Sequence, residues 1–227
     1  MKIVAASDSS LLVEFGNSVS EQLYARVLSL FRALLSERDP RIRNLHPGYA
    51  SLLIDFDPLR VSHEHLTAHV RKLIGAETSI KNAASRTIEI PVCYDAEFGP
   101  DLGDVAAHNN ISIEEVIHLH ASATYLVYFL GFSPGFAYMG GLPEKLRTPR
   151  LATPRIRVAA GSVGVAGEQT GIYPVDSPGG WRLIGRTPVR VFDASANPPT
   201  LLLPGDVVRF APISRASFEQ TLKAQSA

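Results

Sequence analysis

Between Tyr125 and Pro188 the chain gathers side chains that could act on a small molecule. Gly167-Glu-Gln-Thr-Gly171 sets the carboxylate of Glu168, the amide of Gln169 and the hydroxyl of Thr170 between glycines. Such groups orient an amide-bearing ligand by hydrogen bonding, or simply form a polar hairpin tip. Arg147, Arg150, Arg155 and Arg157 lie along a Pro-rich run that includes Thr148-Pro-Arg-Leu-Ala-Thr-Pro-Arg155. Guanidinium groups on stiff backbone suit carboxylate or phosphate recognition, and serve equally as surface charge or a partner contact. His120 can act as acid or base near neutral pH, or bond the last carbonyls of a helix ending there. The aromatic rings of Phe129, Phe132, Phe136, Tyr138, Tyr173 and Trp181 supply walls for a cleft.

Other candidates carry less. Gly161-Ser-Val-Gly-Val-Ala-Gly167 lacks the Gly-Lys-Ser/Thr ending of a phosphate loop and reads as a strand. Ser162 lacks the Gly-x-Ser-x-Gly spacing of the serine-hydrolase elbow; Ser133 does stand in that spacing, Gly131-Phe-Ser-Pro-Gly135, but a serine hydrolase is not the expected reading. His65 and His69 are four apart on a helical pattern that also holds His63, but only Glu64 adds a carboxylate, so a solvated face is expected and no metal site. Cys93, the single cysteine, reads as a small buried hydrophobe in a reducing compartment.

The elements that must position these groups fall into two sets. Ile3 to Ala6 and Leu11 to Phe15 read as strands around an Asp8-Ser-Ser turn. Ser18 and Glu21 suggest a capping box for a helix carrying Leu23, Val27, Leu30, Phe31 and Leu34, ended by Asp39-Pro40. Strands over Ile42 to His46 and Ser51 to Phe56, then a helix with Leu66, Val70, Leu73 and Ile74, complete an α+β sandwich of ferredoxin-like type over residues 1–83. The polar, aperiodic stretch from Asn82 to Arg86 marks a boundary, and residues 87–227 form the second domain. There Thr87 to Val92 is a strand, Asp101 caps a short helix ended by Asn109-Asn110, and Ser112 with Glu115 caps the helix of His120. Strands are expected at Thr124 to Leu130, Gly161 to Ala166, Trp181 to Ile184, Val189 to Phe192, Leu201 to Leu203 and Asp206 to Phe210. A turn is expected at Pro204-Gly-Asp206, and a helical tail starts after Ser214 and dissolves near its end. Short strands between frequent turns argue for a closed or nearly closed barrel.

With 22 basic and 22 acidic side chains, the net charge is zero, so nothing asks for nucleic acid or an anionic membrane. No run approaches the roughly 20 apolar residues of a membrane span, and the first residues lack a signal-peptide pattern, which makes the cytoplasm the expected location.

Several of these stretches resemble the KipI-type family, which includes the B subunit of bacterial 5-oxoprolinase, formerly allophanate hydrolase subunit 1. The matching residues are Phe98-Gly-Pro-Asp-Leu102, Leu119-His-Ala121, Phe129-Leu-Gly-Phe-Ser-Pro-Gly-Phe-Ala-Tyr138, Thr148-Pro-Arg150, Ala160-Gly-Ser-Val163, Gln169-Thr-Gly-Ile-Tyr-Pro174 and Ser177-Pro-Gly-Gly-Trp-Arg-Leu-Ile-Gly-Arg-Thr-Pro188. They cover most of the second domain; the first matches more loosely, around His46-Pro-Gly-Tyr49. Ala159 departs from the family, which usually has Pro there. The resemblance implies a cyclophilin-like barrel after the α+β domain. It also implies one component, inactive alone, of an enzyme that opens 5-oxoproline to L-glutamate at the expense of ATP, with Mg²⁺ accompanying the nucleotide. The partners it implies are the larger C subunit, bound directly, and the A subunit. For that chemistry Arg150 and Arg155 are expected to hold anionic groups. Gln169 and Thr170 would bind the ring amide, Tyr173 and Trp181 would wall the pocket, and His120, Glu168 and Gln169 are the candidate catalytic groups. Another branch of the family inhibits a sensor histidine kinase, which makes a regulatory binding protein the alternative. A carboxyltransferase-like role is a third possibility, although the chain has no biotin-carrier Met-Lys-Met sequence.

Overall fold

The structure is a computed structural model that describes residues 1–75 and 85–226. The chain divides into two compact units, residues 1–85 and 86–227. The boundary expected at Asn82 to Arg86 falls largely outside the described residues.

In the first unit, β1 (Lys2–Ala5), β2 (Ser10–Glu14), β3 (Ile42–Pro47) and β4 (Ser51–Phe56) form an antiparallel sheet in the order β1-β2-β4-β3. Leu11, Val13, Leu52, Ile54 and Phe56 alternate with less buried neighbours, so one face is apolar. Helix α1 (Glu21–Glu37) packs against β3 and β4 and touches α2 (His63–Gly75), which places both helices on that face. The α1 cap is Ser20, accepting the Leu23 amide, rather than Ser18. Its buried stripe is Tyr24, Val27, Leu30 and Leu34. A ferredoxin-like sandwich takes its fourth strand from after the second helix. Among the described residues that edge is filled instead by β1, from before α1.

The second unit is a nearly closed mixed β-barrel. Its strands are β5 (Thr87–Val92), β6 (Tyr125–Leu130), β7 (Ala137–Gly140), β9 (Ser162–Ala166), β10 (Gln169–Ile172), β12 (Arg182–Arg186) and β13 (Val207–Pro212), in the order β12-β9-β10-β7-β6-β13-β5. All neighbours are antiparallel except β13 and β5. The two edges meet where Cys93 and Arg186 exchange backbone hydrogen bonds of 2.8 and 2.9 Å. Gly185 permits this seam: a Cβ there would lie 2.9 Å from the Cys93 carbonyl oxygen and 2.8 Å from Val92 Cγ1. Ile90, Val127, Met139, Val163, Val165, Ile172, Ile184 and Val208 belong to the main buried cluster of the barrel.

A separate ribbon pairs β8 (Arg155–Val158) with β11 (Ser177–Gly179). Helices α3 (Leu102–Asn109) and α4 (Ile113–Ser122) pack together, α3 also on β12 and α4 on β13. Ser112 caps α4 by accepting the Glu115 amide at 3.1 Å, as its spacing predicts. Asp101 holds the N-cap position of α3 but makes no side-chain cap. Its carboxylate accepts from Arg155 Nη2 and the Leu183 amide, both at 2.7 Å. The expected strands at Val189 to Phe192 and Leu201 to Leu203 do not form; Phe192 makes one isolated bridge to Thr200. The C-terminal helix α5 runs Arg215–Ser226, further than its polar sequence suggests.

Candidate functional site

The glycines that crowd this unit let aromatic rings lie directly on the sheet. Val163 and Val165 point into the barrel, so Gly164 and Ala166 face outward. A Cβ on Gly164 would come 3.1 Å from Trp181 Cβ; one on Gly171 would sit 2.9 Å from Phe136 Cζ and 3.1 Å from Trp181 Cζ3. Phe136, Val158, Ala166, Tyr173, Trp181 and Leu183 therefore form a second buried cluster on the barrel's outer face, with Tyr138 against it. Phe136 meets Tyr173 and Trp181 edge-on, with centroids 5.3 Å apart in each pair. Each such pair contributes about 0.5–1.5 kcal/mol beyond simple burial. The cluster encloses a hollow of about 80 Å³ lined by Phe132, Phe136, Tyr138, Arg150, Tyr173, Gly179, Gly180 and Trp181. One water needs about 10–15 Å³ on this scale, so the hollow admits one small ring and little more.

Three of the sequence-predicted residues, Arg150, Tyr173 and Trp181, line this hollow together. Arg150 is exposed and makes no hydrogen bond or ion pair among the described residues. The other arginines of the Pro-rich run are paired: Arg147 with Glu168 at 2.7 Å, Arg155 with Asp101 at 2.7 Å, and Arg157 with Asp176. Burial pushes the Tyr173 hydroxyl pKa up, against the pull of the Trp181 amide and of the Arg150 and Arg155 charges. The phenol therefore stays protonated and can donate.

Arg155 is not on the lining. It sits opposite Gly179 in the β8–β11 ribbon, its guanidinium held by a carboxylate that is 6% exposed. The structure therefore does not bring it onto the lining with Arg150, Tyr173 and Trp181.

His120 and Thr170 are elsewhere, in the barrel interior, and both are fully buried. His120 Nδ1 lies 2.8 Å from the Tyr94 hydroxyl and Nε2 lies 3.0 Å from Thr170 Oγ1. Thr170 donates to the Gly164 carbonyl at 3.0 Å. That direction makes Thr170 an acceptor from His120 Nε2–H, and in the neutral imidazole that burial favours, Nδ1 accepts from the Tyr94 hydroxyl. Burial lowers the His120 pKa to about 3. A ring with both nitrogens engaged and no open face cannot exchange protons with a ligand, so the expected acid–base role of His120 and the ligand contact of Thr170 do not fit. The signal for a structural role was the helix-end position. Glu168 sits exposed at the β9–β10 turn and Gln169 is half-buried at the start of β10, neither on the lining.

Sequence reasoning passed over Gly179 and Gly180 as lining residues, although the pair directly precedes Trp181. A Cβ on Gly179 would run into the Tyr173 hydroxyl, so glycine keeps the hollow open. A larger cleft of about 540 Å³ includes Pro174, Asp176, Arg186, Arg190 and Phe218 in its lining. Its Asp176 is paired with Arg157 and its Arg190 with Asp193, so its charges are largely satisfied within the unit.

Residues 1–202 match the family model described as carboxyltransferase domain, subdomain C and D. The chain is 38% identical to the B subunit of 5-oxoprolinase from Bacillus subtilis (strain 168), covering 96% of this chain and 95% of that one. The crystal structure of TTHA0988 superposes with a TM-score of 0.81 at 41% identity, over 90% of this chain and 40% of that chain. The Kluyveromyces lactis urea carboxylase shares the fold at a TM-score of 0.75 and 23% identity, over 97% of this chain and 22% of that one.

Proposed function

We propose, from the premise that this chain belongs to the family of the carboxyltransferase domain, subdomain C and D, that it is the B subunit of an ATP-dependent 5-oxoprolinase. The observation that carries this reading is the match, along nearly the full length of both chains, to a relative named as the B subunit of 5-oxoprolinase. The reaction is the opening of 5-oxoproline to L-glutamate in a complex with the A and C subunits.

The chemistry explains why one chain is not enough. A five-membered lactam is a weak electrophile, and its hydrolysis has little driving force. Phosphorylation of the carbonyl oxygen by ATP creates a leaving group, and water then attacks a carbon whose developing charge must be stabilised. The hollow suits one part of this work, in which a flat, apolar ring is held between aromatic walls with one unpaired guanidinium at hand. It is too small for a nucleotide, which calls for several hundred Å³. ATP, and the Mg²⁺ it carries, are therefore held elsewhere. No acid–base side chain lines the hollow either, apart from tyrosines. On this reading the chain alone is inactive, and its partners complete the site with proton-moving groups. That similar segments make up 40% and 22% of two longer chains favours work beside other domains.

The test is reconstitution. Glutamate release from 5-oxoproline should require ATP, this chain and both partners, with none from this chain alone. Full turnover by the two partners without this chain would refute the reading, as would an assembled complex that leaves 5-oxoproline intact.

A further inference from the structure

The segments that build the hollow carry polar groups that the protein does not pair. Three buried side-chain atoms among the described residues have no hydrogen-bond partner: Ser133 Oγ, Arg155 Nη1 and Ser177 Oγ. None of the three residues lines the hollow, but each is a chain or strand neighbour of residues that do. Ser133 stands between Phe132 and Phe136, Ser177 opens the strand that ends at Gly179, and Arg155 faces Gly179 across the ribbon. A buried polar atom left unpaired costs about 1–3 kcal/mol, so these segments are held in place at some cost. On the lining itself, the Arg150 guanidinium is unpaired and the Tyr173 hydroxyl has no acceptor for its proton among the described residues. Phe132 adds strain at the lip: it takes a left-handed φ of 65° yet is 62% exposed, edge-on to Phe136 and Tyr173. A bulky residue occupies that region only where its surroundings impose it.

Resting on the 5-oxoprolinase reading and deepening it, we propose that the hollow is a carboxylate seat, in which Arg150 and the Tyr173 hydroxyl clasp the carboxylate of a small cyclic acid whose ring lies against Trp181 and Tyr138. A guanidinium presents two parallel donors that match the edge of a carboxylate, and a phenol adds a third from the wall. Arg155, fixed by Asp101 behind that wall, contributes positive potential without touching the ligand. The same potential that works against the Tyr173 proton draws an anion toward it. The aromatic walls select against extended or strongly hydrated acids. In the lactam reaction this seat holds the group that does not react and leaves the ring carbonyl outward, toward groups supplied by a partner.

Trp181 is the only tryptophan, so its fluorescence reports the hollow directly. The full chain should be titrated with L-5-oxoproline, with 2-pyrrolidinone (the same ring without a carboxylate), and with cyclopentanecarboxylate (a carboxylate without the lactam). The seat requires that cyclopentanecarboxylate change the emission; its use for the lactam acid requires that 5-oxoproline do so too and that 2-pyrrolidinone bind at least roughly tenfold more weakly than 5-oxoproline. Arg150→Gln, at an exposed position, should weaken both acids roughly tenfold while leaving 2-pyrrolidinone unchanged, and Tyr173→Phe should act in the same direction. Equal response to 5-oxoproline and 2-pyrrolidinone, or to neither acid, overturns the seat whatever the assembled complex does. Binding of cyclopentanecarboxylate but not 5-oxoproline keeps the seat and overturns the lactam substrate.

Discussion

His120 shows how far burial can redirect a side chain that is chemically able to catalyse. Its folded pKa is lowered to about 3 by burial, against about 6.5 in an unfolded chain. Between those values the unfolded state binds a proton that the native state refuses, so native stability falls as pH drops below about 6.5. The slope approaches about 1.4 kcal/mol per pH unit for this one group. Urea midpoints measured from pH 7 to pH 5 should decline accordingly, and His120→Gln should remove that component while lowering stability at pH 7. Asp101 is the complementary case. Asp101→Ala would leave the Arg155 charge unmatched and the Leu183 amide without its carboxylate partner. Breaking a buried pair costs about 3–5 kcal/mol; with the Arg155 side chain 29% exposed, roughly 2–4 kcal/mol is expected from urea unfolding at pH 7. Residue types in the sequence were enough to nominate Arg150, Tyr173 and Trp181 for the same place. They were not enough to separate Arg150 from Arg155, because that depends on Asp101, which is distant in sequence and looks like an ordinary helix cap.

Elements follow the same division between local and non-local causes. The capped helices, and β4 and β5 with their apolar alternation, are legible because their signals lie within one segment. Strands β8, β10 and β11 are not: Gln169-Thr-Gly-Ile172 and Ser177-Pro-Gly179 look like turns, and only pairing with β9 or β8 makes them strands. Val189 to Phe192 has the converse character, with β-prone residues and no ladder to join. Glycines test this division in pairs. Gly185→Ala presses a methyl against the Cys93 carbonyl at the barrel seam, where backbone cannot yield, and should cost about 1–3 kcal/mol. Gly103→Ala, on α3 with nothing within 4 Å of the added atom, should instead stabilise by about 0.5–1 kcal/mol. Thermal or urea unfolding of the two variants beside the parent chain reads both signs.

At the scale of the whole molecule, two compact units each possess their own buried side chains. A fragment of residues 86–227 should therefore fold alone, with cooperative urea unfolding and the same buried-tryptophan emission as the full chain. A broad, non-cooperative transition would show that the first unit is needed. The barrel class was legible from turn spacing, and the family from motifs in the second unit, but the N-terminal sheet order was not, since nothing local tells a strand which neighbour it will have. The parallel pairing of β5 with β13 has a further effect. During synthesis β5 is the first strand of this unit to leave the ribosome, and its β13 edge stays bare until nearly the whole unit has followed. Until then that edge can bond only to strangers or to a chaperone, so a stop codon before Val207 would yield a chain in which β5 never finds its parallel mate and which is cleared rather than merely weakened.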